Sequence, residues 1–465
     1  MLAMSLSQIA SDVDGQLVGD ASFTRVCIDT RALQKGDLFI AINGETFDAN
    51  QFVTQAVELG AAGVVSSRKP QSDIPTLLVS DPRFVLGVIA KRNRRQLSGP
   101  LIGLTGSTGK TSCKDMLASI LAEKSNVLAT KGNFNNEVGV PLTLLAMNSE
   151  HQAAVIEMGA CREGDIRYLC QFAEPTIAVV TNAMHAHIES FGDIETVAST
   201  KGEIFESLAD DGVMVVNLDD RFASQWLAKA GSKKTMTFSE STHSADVFAE
   251  SVCINADSNL EFVMCAAGSK ERIELSLLGR HNVSNALAAA AAAIAAGASL
   301  QQVKKGLAKV RPTTGRLQSL YSPCGRRVID DTYNANPGSV KAAIDVLVEC
   351  STATPASALS TCLILGTMAE LGDQTALYHQ EVAVYAKEQG VQKILAVGKY
   401  AAEIMMAFAG EGEGFDQMDD LLSALDKQLQ ADIVLVKGSR SGHMERVVEA
   451  LMDNTDFVNK NLGEH

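Results

Sequence analysis

An apolar run, Leu101-Ile102-Gly103-Leu104, leads directly into Thr105-Gly106-Ser107-Thr108-Gly109-Lys110-Thr111-Ser112. A strand that enters a glycine-rich turn and leaves as a helix belongs in a parallel α/β sheet, and such a turn cradles a nucleotide triphosphate. Gly106, Ser107, Thr108 and Gly109 carry little bulk, so their N–H groups can converge on phosphate oxygens. Lys110 offers a cation to the β/γ-phosphates, Thr111 offers a hydroxyl to Mg²⁺, and Ser112 continues the helix start. The usual pattern places a glycine five positions before Gly109, where this chain has Leu104. The first glycine falls at Gly106, giving a tighter Gly-x-x-Gly-Lys-Thr form.

The same alternation of apolar strand and amphipathic helix recurs along most of the chain, the signature of α/β units with mostly parallel sheets. A chain of 465 residues exceeds one core. Two breaks suggest themselves: Ser98-Gly99-Pro100, and Arg311-Pro312-Thr313-Thr314-Gly315. The reading is a smaller amino-terminal α/β domain (residues 1–97), a central P-loop ATPase-like domain (98–312) and a carboxy-terminal Rossmann-like domain (313–465). Strands are expected at Leu38–Ile42, 63–66 and 76–79 in the first domain. The second has them at 101–105, 153–158, 176–181 and 213–217, the third at 327–330, 363–366, 393–397 and 432–437. Helices are expected at 48–59, 82–97, after Asn282 to a Gly297 cap, and at 300–308.

Charge and composition narrow the class. The net charge of −15 argues against a general nucleic-acid binder. No apolar run reaches the roughly 20 residues of a membrane span. No secretory signal is evident at the amino terminus, and nine cysteines without Cys-x-x-Cys pairs suit a reducing cytoplasm.

Several polar residues fall at strand ends or helix starts. Glu157 ends Ala154-Val155-Ile156-Glu157, where a Mg²⁺ ligand beside a phosphate cradle belongs. His185 and His187 follow the strand near Thr181 and suit a second cation or a loop equally. Lys201, in Ser199-Thr200-Lys201-Gly202-Glu203, reads on its own as a solvated helix lysine. Asn282 suits a helix cap, and with Asn285 three positions on it also suits reading an adenine edge beside His281. Arg316 fits a terminal phosphate at a domain junction or a surface ion pair. In Asp330-Asp331-Thr332-Tyr333-Asn334-Ala335-Asn336-Pro337, Asp331 suits a ribose hydroxyl and Tyr333, Asn334 and Asn336 a substrate, though turn chemistry also favours Asn and Pro.

Taken together these segments resemble the Mur ligase family of cell-wall peptide synthetases, over nearly the whole chain. The family cradle is Thr-Gly-x-x-Gly-Lys-Thr/Ser, which accounts for the spacing at Gly106. The resemblance implies that Glu157 is the metal glutamate. His187 is the implied family histidine, because Phe191-Gly192 follow it at the family distance. Lys201 would be the lysine that carries a carbamate from CO₂ and ligates a second Mg²⁺. Asn282 and Asn285 match the adenine readers, Arg316 a phosphate contact and Asp331 a ribose or phosphate contact. Asp29-Thr30-Arg31 resembles the uridine-diphosphate-substrate domain, with Thr30 and Arg31 as contacts, although Phe47-Asp48-Ala49-Asn50 departs from the usual Asp-Gly pairing. Gly132-Asn133-Phe134-Asn135-Asn136-Glu137 resembles a second contact loop through Asn135 and Asn136.

Asn334-Ala335-Asn336-Pro337, Gly366-Thr367-Met368-Ala369-Glu370-Leu371-Gly372 and Lys437-Gly438-Ser439-Arg440-Ser441 resemble one branch of the family. That branch joins D-alanyl-D-alanine to UDP-N-acetylmuramoyl-tripeptide in peptidoglycan precursor synthesis. The resemblance implies ATP and two Mg²⁺ ions, an acyl phosphate intermediate, and closure about hinges near Gly99 and Gly315. A cytoplasmic monomer without nucleic-acid partner or membrane insertion is expected. A sister ligase adding a single amino acid, and a P-loop ATPase with no ligase activity, remain the alternatives.

Overall fold

The cradle strand, Leu101–Thr105, lies inside a nine-stranded sheet whose spatial order explains why so many polar residues meet beside it. The computed structural model describes residues 1–44, 47–184, 191–255, 259–352 and 359–453. In the middle sheet, Leu101–Thr105 pairs in parallel with Ala153–Glu157 on one side and Ile177–Val180 on the other. Glu157 stands opposite Leu104, and Val180 opposite Thr105. The three strands therefore run out together, and the segments that follow them open at one carboxyl edge, the ligand edge of parallel α/β sheets.

Beyond Val213–Asn217 the sheet continues through Lys234–Ser239, Val247–Ile254, Leu260–Ala266 and Ser269–Leu275. The last two pairings are antiparallel. None of these four strands was expected from the sequence. Ser269–Leu275 carries the charged run Lys270-Glu271-Arg272 and Glu274, with only Ile273 and Leu275 buried. A one-sided antiparallel strand lacks the continuous apolar run of a parallel one.

Helix His281–Ala295 packs on helix Lys110–Leu121 through Ala286–Ala293, whose side chains are essentially inaccessible, against Cys113, Met116, Leu117 and Ile120. Small side chains let the two backbones approach, and each buried methyl contributes about 0.8 kcal/mol. Asn282 does not cap this helix, contrary to the sequence expectation. The first flanking residue is Arg280, and Asn282 sits inside the first turn with its Nδ2 donating to Leu278 O at 2.7 Å.

A five-stranded sheet precedes the middle one: Gly15–Val18, Thr76–Val79, Gly63–Ser66, Leu38–Ile40 and Val26–Cys27, with Gly15–Val18 antiparallel at one edge. A six-stranded sheet follows: Gln318–Tyr321, Arg327–Asp331, Ile433–Lys437, Thr361–Leu365, Lys393–Val397 and Glu411–Phe415, parallel except at Gln318–Tyr321. A two-stranded antiparallel pair, Met4–Ser5 with Ser22–Phe23, is the fourth sheet of the described residues. The α/β architecture with three larger, mostly parallel sheets is as expected, although several elements are shorter than read. The helix read at residues 82–97 is Pro82–Arg94. The one read at 48–59 divides into the 3-10 turn Ala49–Phe52 and helix Val53–Glu58.

The expectation of a hinge at Gly99 meets a packed junction. A methyl group on Gly99 would lie 1.8 Å from Gln152 O. Just upstream, Asn93 Nδ2 donates to Leu144 O and Met147 O, and Arg94 donates to Ala173 O and Glu174 O. One apolar core runs from Met4 and Leu6 through Val85 and Ile89 to Phe172 and Trp226, across the first and middle sheets. At the other junction, Val310 is buried in the middle core while Gly315 N donates to Asp330 Oδ2 of the third sheet.

Candidate active site

A cavity of about 1190 Å³ opens at the shared carboxyl edge of the middle and third sheets. Gly106, Ser107, Thr108, Gly109, Lys110, Thr111 and Ser112 all line it, with the start of helix Lys110–Leu121 pointing inward. Gly109 adopts φ +76, a left-handed conformation that favours glycine. The turn is clamped from the neighbouring strand: Thr181 Oγ1 donates to Thr108 O at 2.8 Å, and Thr108 N donates to Asn182 Oδ1 at 3.0 Å. Asn182 O accepts from Ser107 N. Lys110 Nζ is held over the turn by Gly106 O at 2.7 Å and Ser107 O at 3.3 Å. Burial lowers its pKa, Glu157 opposes that shift and Arg316 adds to it. Arg316, from beyond the second junction, thus makes itself felt at the cradle.

Glu157 is 2% exposed. Its Oε2 accepts from Thr111 Oγ1 at 3.1 Å and its Oε1 from Asn135 Nδ2 at 2.9 Å. A hydroxyl and a carboxylate side by side, next to a phosphate cradle, form a hard oxygen donor set suited to Mg²⁺ with phosphate oxygens and waters completing the shell. Among the described residues no cluster of three His, Cys, Asp or Glu forms an all-protein metal cage.

Lys201 is 3% exposed and lines the cavity. The reading of it as a solvated helix lysine is therefore corrected. It sits on the inner face of helix Ile194–Glu206, whose capping Asp193 accepts from Thr196 N, and its ammonium lies 5.7 Å from the Phe191 ring centre. Burial, and next the charge of Lys110, bring its pKa down to about 7. His185 and His187 lie outside the described residues.

Asn285 Nδ2 donates to Asn282 Oδ1 at 3.0 Å, so the amide pair shares one face and, with His281, lines the cavity. Arg316 stacks its guanidinium 4.2 Å above the Tyr333 ring, so the surface ion pair is not its arrangement here. Asp331 is engaged on both oxygens, accepting from Leu317 N at 3.2 Å and from Lys437 Nζ at 2.5 Å. Lys437 is 2% exposed and also donates to Asn334 O. Its role beside Asp331 escaped the sequence reading, although its position ending an apolar strand in Lys-Gly-Ser-Arg was a usable signal.

The cavity also takes in Tyr333, Asn334, Asn336, Asn135 and Asn136. Two of these asparagines also serve as turn formers: Asn136 Oδ1 accepts from Gly139 N and Asn336 Oδ1 from Ser339 N, each at 2.8 Å. Thr30 and Arg31 are not brought to this cavity. Thr30 Oγ1 donates to Gln55 Oε1, and Arg31 pairs with Asp29, in the amino-terminal unit. Cys161, Arg162, Asp165 and Tyr168 form a further wall that sequence reasoning missed. This turn and the start of helix Asp165–Ala173 carry no motif pattern, and only the fold brings them to the cradle.

Three family models match the chain: "Mur ligase family, catalytic domain" over residues 22–96, "Mur ligase middle domain" over 104–293, and "Mur ligase, glutamate ligase domain" over 315–440. The UDP-N-acetylmuramoyl-tripeptide–D-alanyl-D-alanine ligase of Escherichia coli K12 is 39% identical, covering 98% of this chain and 99% of its own length. Its Bacillus subtilis counterpart is 33% identical over 98% of this chain and 99% of its own. A crystal structure of MurF from Acinetobacter baumannii superposes with a TM-score of 0.90 at 32% identity, covering 98% of this chain and all of the other. The MurF ligase of Thermotoga maritima in complex with ADP superposes with a TM-score of 0.80 at 26% identity, covering 92% and 97%.

Proposed function

The chain belongs to the Mur ligase family, and from that premise we propose that it joins D-alanyl-D-alanine to the terminal carboxylate of UDP-N-acetylmuramoyl-tripeptide at the expense of ATP. The observation that carries this reading is the single cavity in which the cradle, Glu157 and Lys201 face Arg316, Asp331 and the Asn334–Asn336 turn. An ATPase acting alone has no use for that second wall. We divide the chain at residues 1–97, 98–312 and 313–465, the first holding the uridine diphosphate end of the substrate through Thr30 and Arg31.

A carboxylate is a poor acyl donor. Its oxygen attacks the γ-phosphorus of ATP, the bond to the β-bridging oxygen breaks, and ADP leaves an acyl phosphate. The α-amine of the dipeptide then attacks the acyl carbon. The tetrahedral intermediate collapses with loss of inorganic phosphate, and the amine proton passes to solvent. Catalysis of this kind rests on positioning and on charge compensation.

In this division of labour the cradle N–H groups and Lys110 hold the β- and γ-phosphates, and Arg316 offsets charge from the opposite wall. Asn282 and Asn285 read the adenine edge, with Asp331 at the ribose or phosphate end. Asn135, Asn136, Tyr333, Asn334 and Asn336 hold the peptide substrates. Thr111 and Glu157 would hold one Mg²⁺, which when bound neutralises phosphate charge. Lys201, buried and able to lose its proton near neutral pH, is placed to add CO₂ and become a carbamate anion, a ligand with His187 for a second Mg²⁺. No described helix is long and apolar enough to cross a membrane, and we place the protein in the cytoplasm as a monomer.

Mass analysis of a reaction containing ATP, Mg²⁺, the UDP-tripeptide and D-alanyl-D-alanine tests the proposal. The expected product is the UDP-pentapeptide. A product extended by one amino acid from a mixture of single amino acids would favour a sister ligase.

A further inference from the structure

His379 is 0% exposed, lies on helix Thr375–Glu388 and is absent from the cavity wall, yet both its ring nitrogens are engaged. Nδ1 lies 2.7 Å from Thr375 O, and Nε2 lies 2.8 Å from Met368 N. A carbonyl only accepts and a backbone N–H only donates, so the ring is neutral with its proton on Nδ1. Tyr400 stacks on it, centroids 4.7 Å apart and planes 22° from parallel. The imidazole is thus held as an acceptor for one backbone N–H.

That N–H belongs to the loop after strand Thr361–Leu365, which includes Glu370 at φ +62. A non-glycine residue in that region needs external restraint. The next residue, Ala369, donates its N–H to Ser439 Oγ at 2.7 Å, and Ser439 Oγ lies 3.5 Å from Ala335 O as a donor. Ser439 N in turn donates to Thr367 O. Ala335 sits between Asn334 and Asn336, both on the cavity wall, and Lys437 Nζ grips Asn334 O. A continuous hydrogen-bonded column therefore runs from the buried histidine through two loops to the Asn334–Asn336 turn.

We propose that His379 is a positioning residue for the amino-substrate end of the cavity, acting through Met368, Ala369 and Ser439 on the Asn334–Asn336 turn. The proposal rests on the ligase reading, which gives that turn to the peptide substrates, and takes the dipeptide as the one it meets. The phosphate cradle is anchored separately, by Thr181 and Asn182, and Lys437 holds Asp331 and Asn334 O independently of Ser439, so a defect in the column should weaken dipeptide binding far more than nucleotide binding.

Three variants test this: His379→Leu, which keeps bulk but loses the acceptor; His379→Gln, whose amide oxygen can accept from Met368 N–H; and Ser439→Ala, which breaks the column at its hub. The readout is KM for D-alanyl-D-alanine beside KM for ATP. His379→Leu and Ser439→Ala should each raise KM for the dipeptide about tenfold or more, the effect of losing roughly one buried hydrogen bond. KM for ATP should stay within about twofold, and His379→Gln should remain within about threefold of wild type. Unchanged dipeptide KM in His379→Leu, or in Ser439→Ala where the leucine variant does not fold, overturns the proposal. So does an equal rise in both KM values. Wild-type enzyme without dipeptide-dependent turnover overturns the ligase reading and this proposal together, whereas active wild type with unaffected variants overturns this proposal alone.

Discussion

A methyl group on Gly109 would lie 2.1 Å from Oδ1 of Asn285, so the phosphate cradle and the amide pair meet where only a hydrogen atom fits. The turn backbone at Gly109 thus packs directly against the Asn285 side chain. Gly109→Ala must both displace Asn285 and hold alanine at φ +76, a conformation that costs about 1–3 kcal/mol. ATP affinity should fall at least about tenfold while the circular dichroism spectrum is retained. Calorimetry with a non-hydrolysable ATP analogue makes the check, and wild-type affinity would contradict the contact.

Lys201 sets a pH dependence. Burial and the charge of Lys110 hold its pKa down to about 7, so the amine is an ammonium below that pH and neutral above it. Only the neutral amine adds CO₂. Initial rates should therefore climb as pH rises through about 7, and rates at pH 8 should drop in CO₂-free buffer and recover with bicarbonate. Lys201→Ala should nearly abolish turnover, with bicarbonate giving no recovery. Near-wild-type turnover in that variant would remove the carbamate from the account.

Removing divalent cations with a chelator should stop turnover, and added Mg²⁺ should restore it. Glu157→Gln keeps the shape and the neighbours Thr111 and Asn135 but loses the anion. The Mg²⁺ concentration for half-maximal rate should rise at least about tenfold. A titration of rate against Mg²⁺ decides, and an unshifted curve would place the metal elsewhere.

Arg94, the last residue of helix Pro82–Arg94, ties the amino-terminal unit to the middle one through Ala173 O and Glu174 O. Arg94→Met leaves those carbonyls without a donor in a buried site and should cost about 2–4 kcal/mol. Denaturant melts should report that loss, with KM for ATP unchanged in enzyme that remains folded. A melt like that of wild type would restore a loose junction at Gly99.

The parts of the site legible in the sequence share one property: each follows a buried parallel strand. The cradle follows Leu101–Thr105 and Glu157 ends Ala153–Glu157, both nearly continuous apolar runs, while Asp331 closes the shorter Val328-Ile329 step; such runs announce both the strand and the edge at which ligands bind. Lys201 carries no such mark. Its helix looks solvent-exposed by pattern, and only the packing of Ile194–Glu206 on the sheet turns the lysine inward. Family resemblance, rather than periodicity, identified it. Strands Lys234–Ser239, Val247–Ile254 and Ser269–Leu275 were missed because only part of each is buried and no continuous apolar run marks it. Asn282 was misread as a cap because its amide reaches back to Leu278 O, a contact set by the preceding loop. His379 meets the backbone N–H of Met368 in a separate loop, and no local spacing encodes that.

Phosphate release from ATP in the presence of UDP-N-acetylmuramoyl-tripeptide tests the central claim most directly, with D-alanyl-D-alanine, single amino acids, or no amino substrate in parallel. The account predicts release that needs both peptide substrates and is supported by D-alanyl-D-alanine far better than by any single amino acid. Release at the same rate without an amino substrate would contradict it.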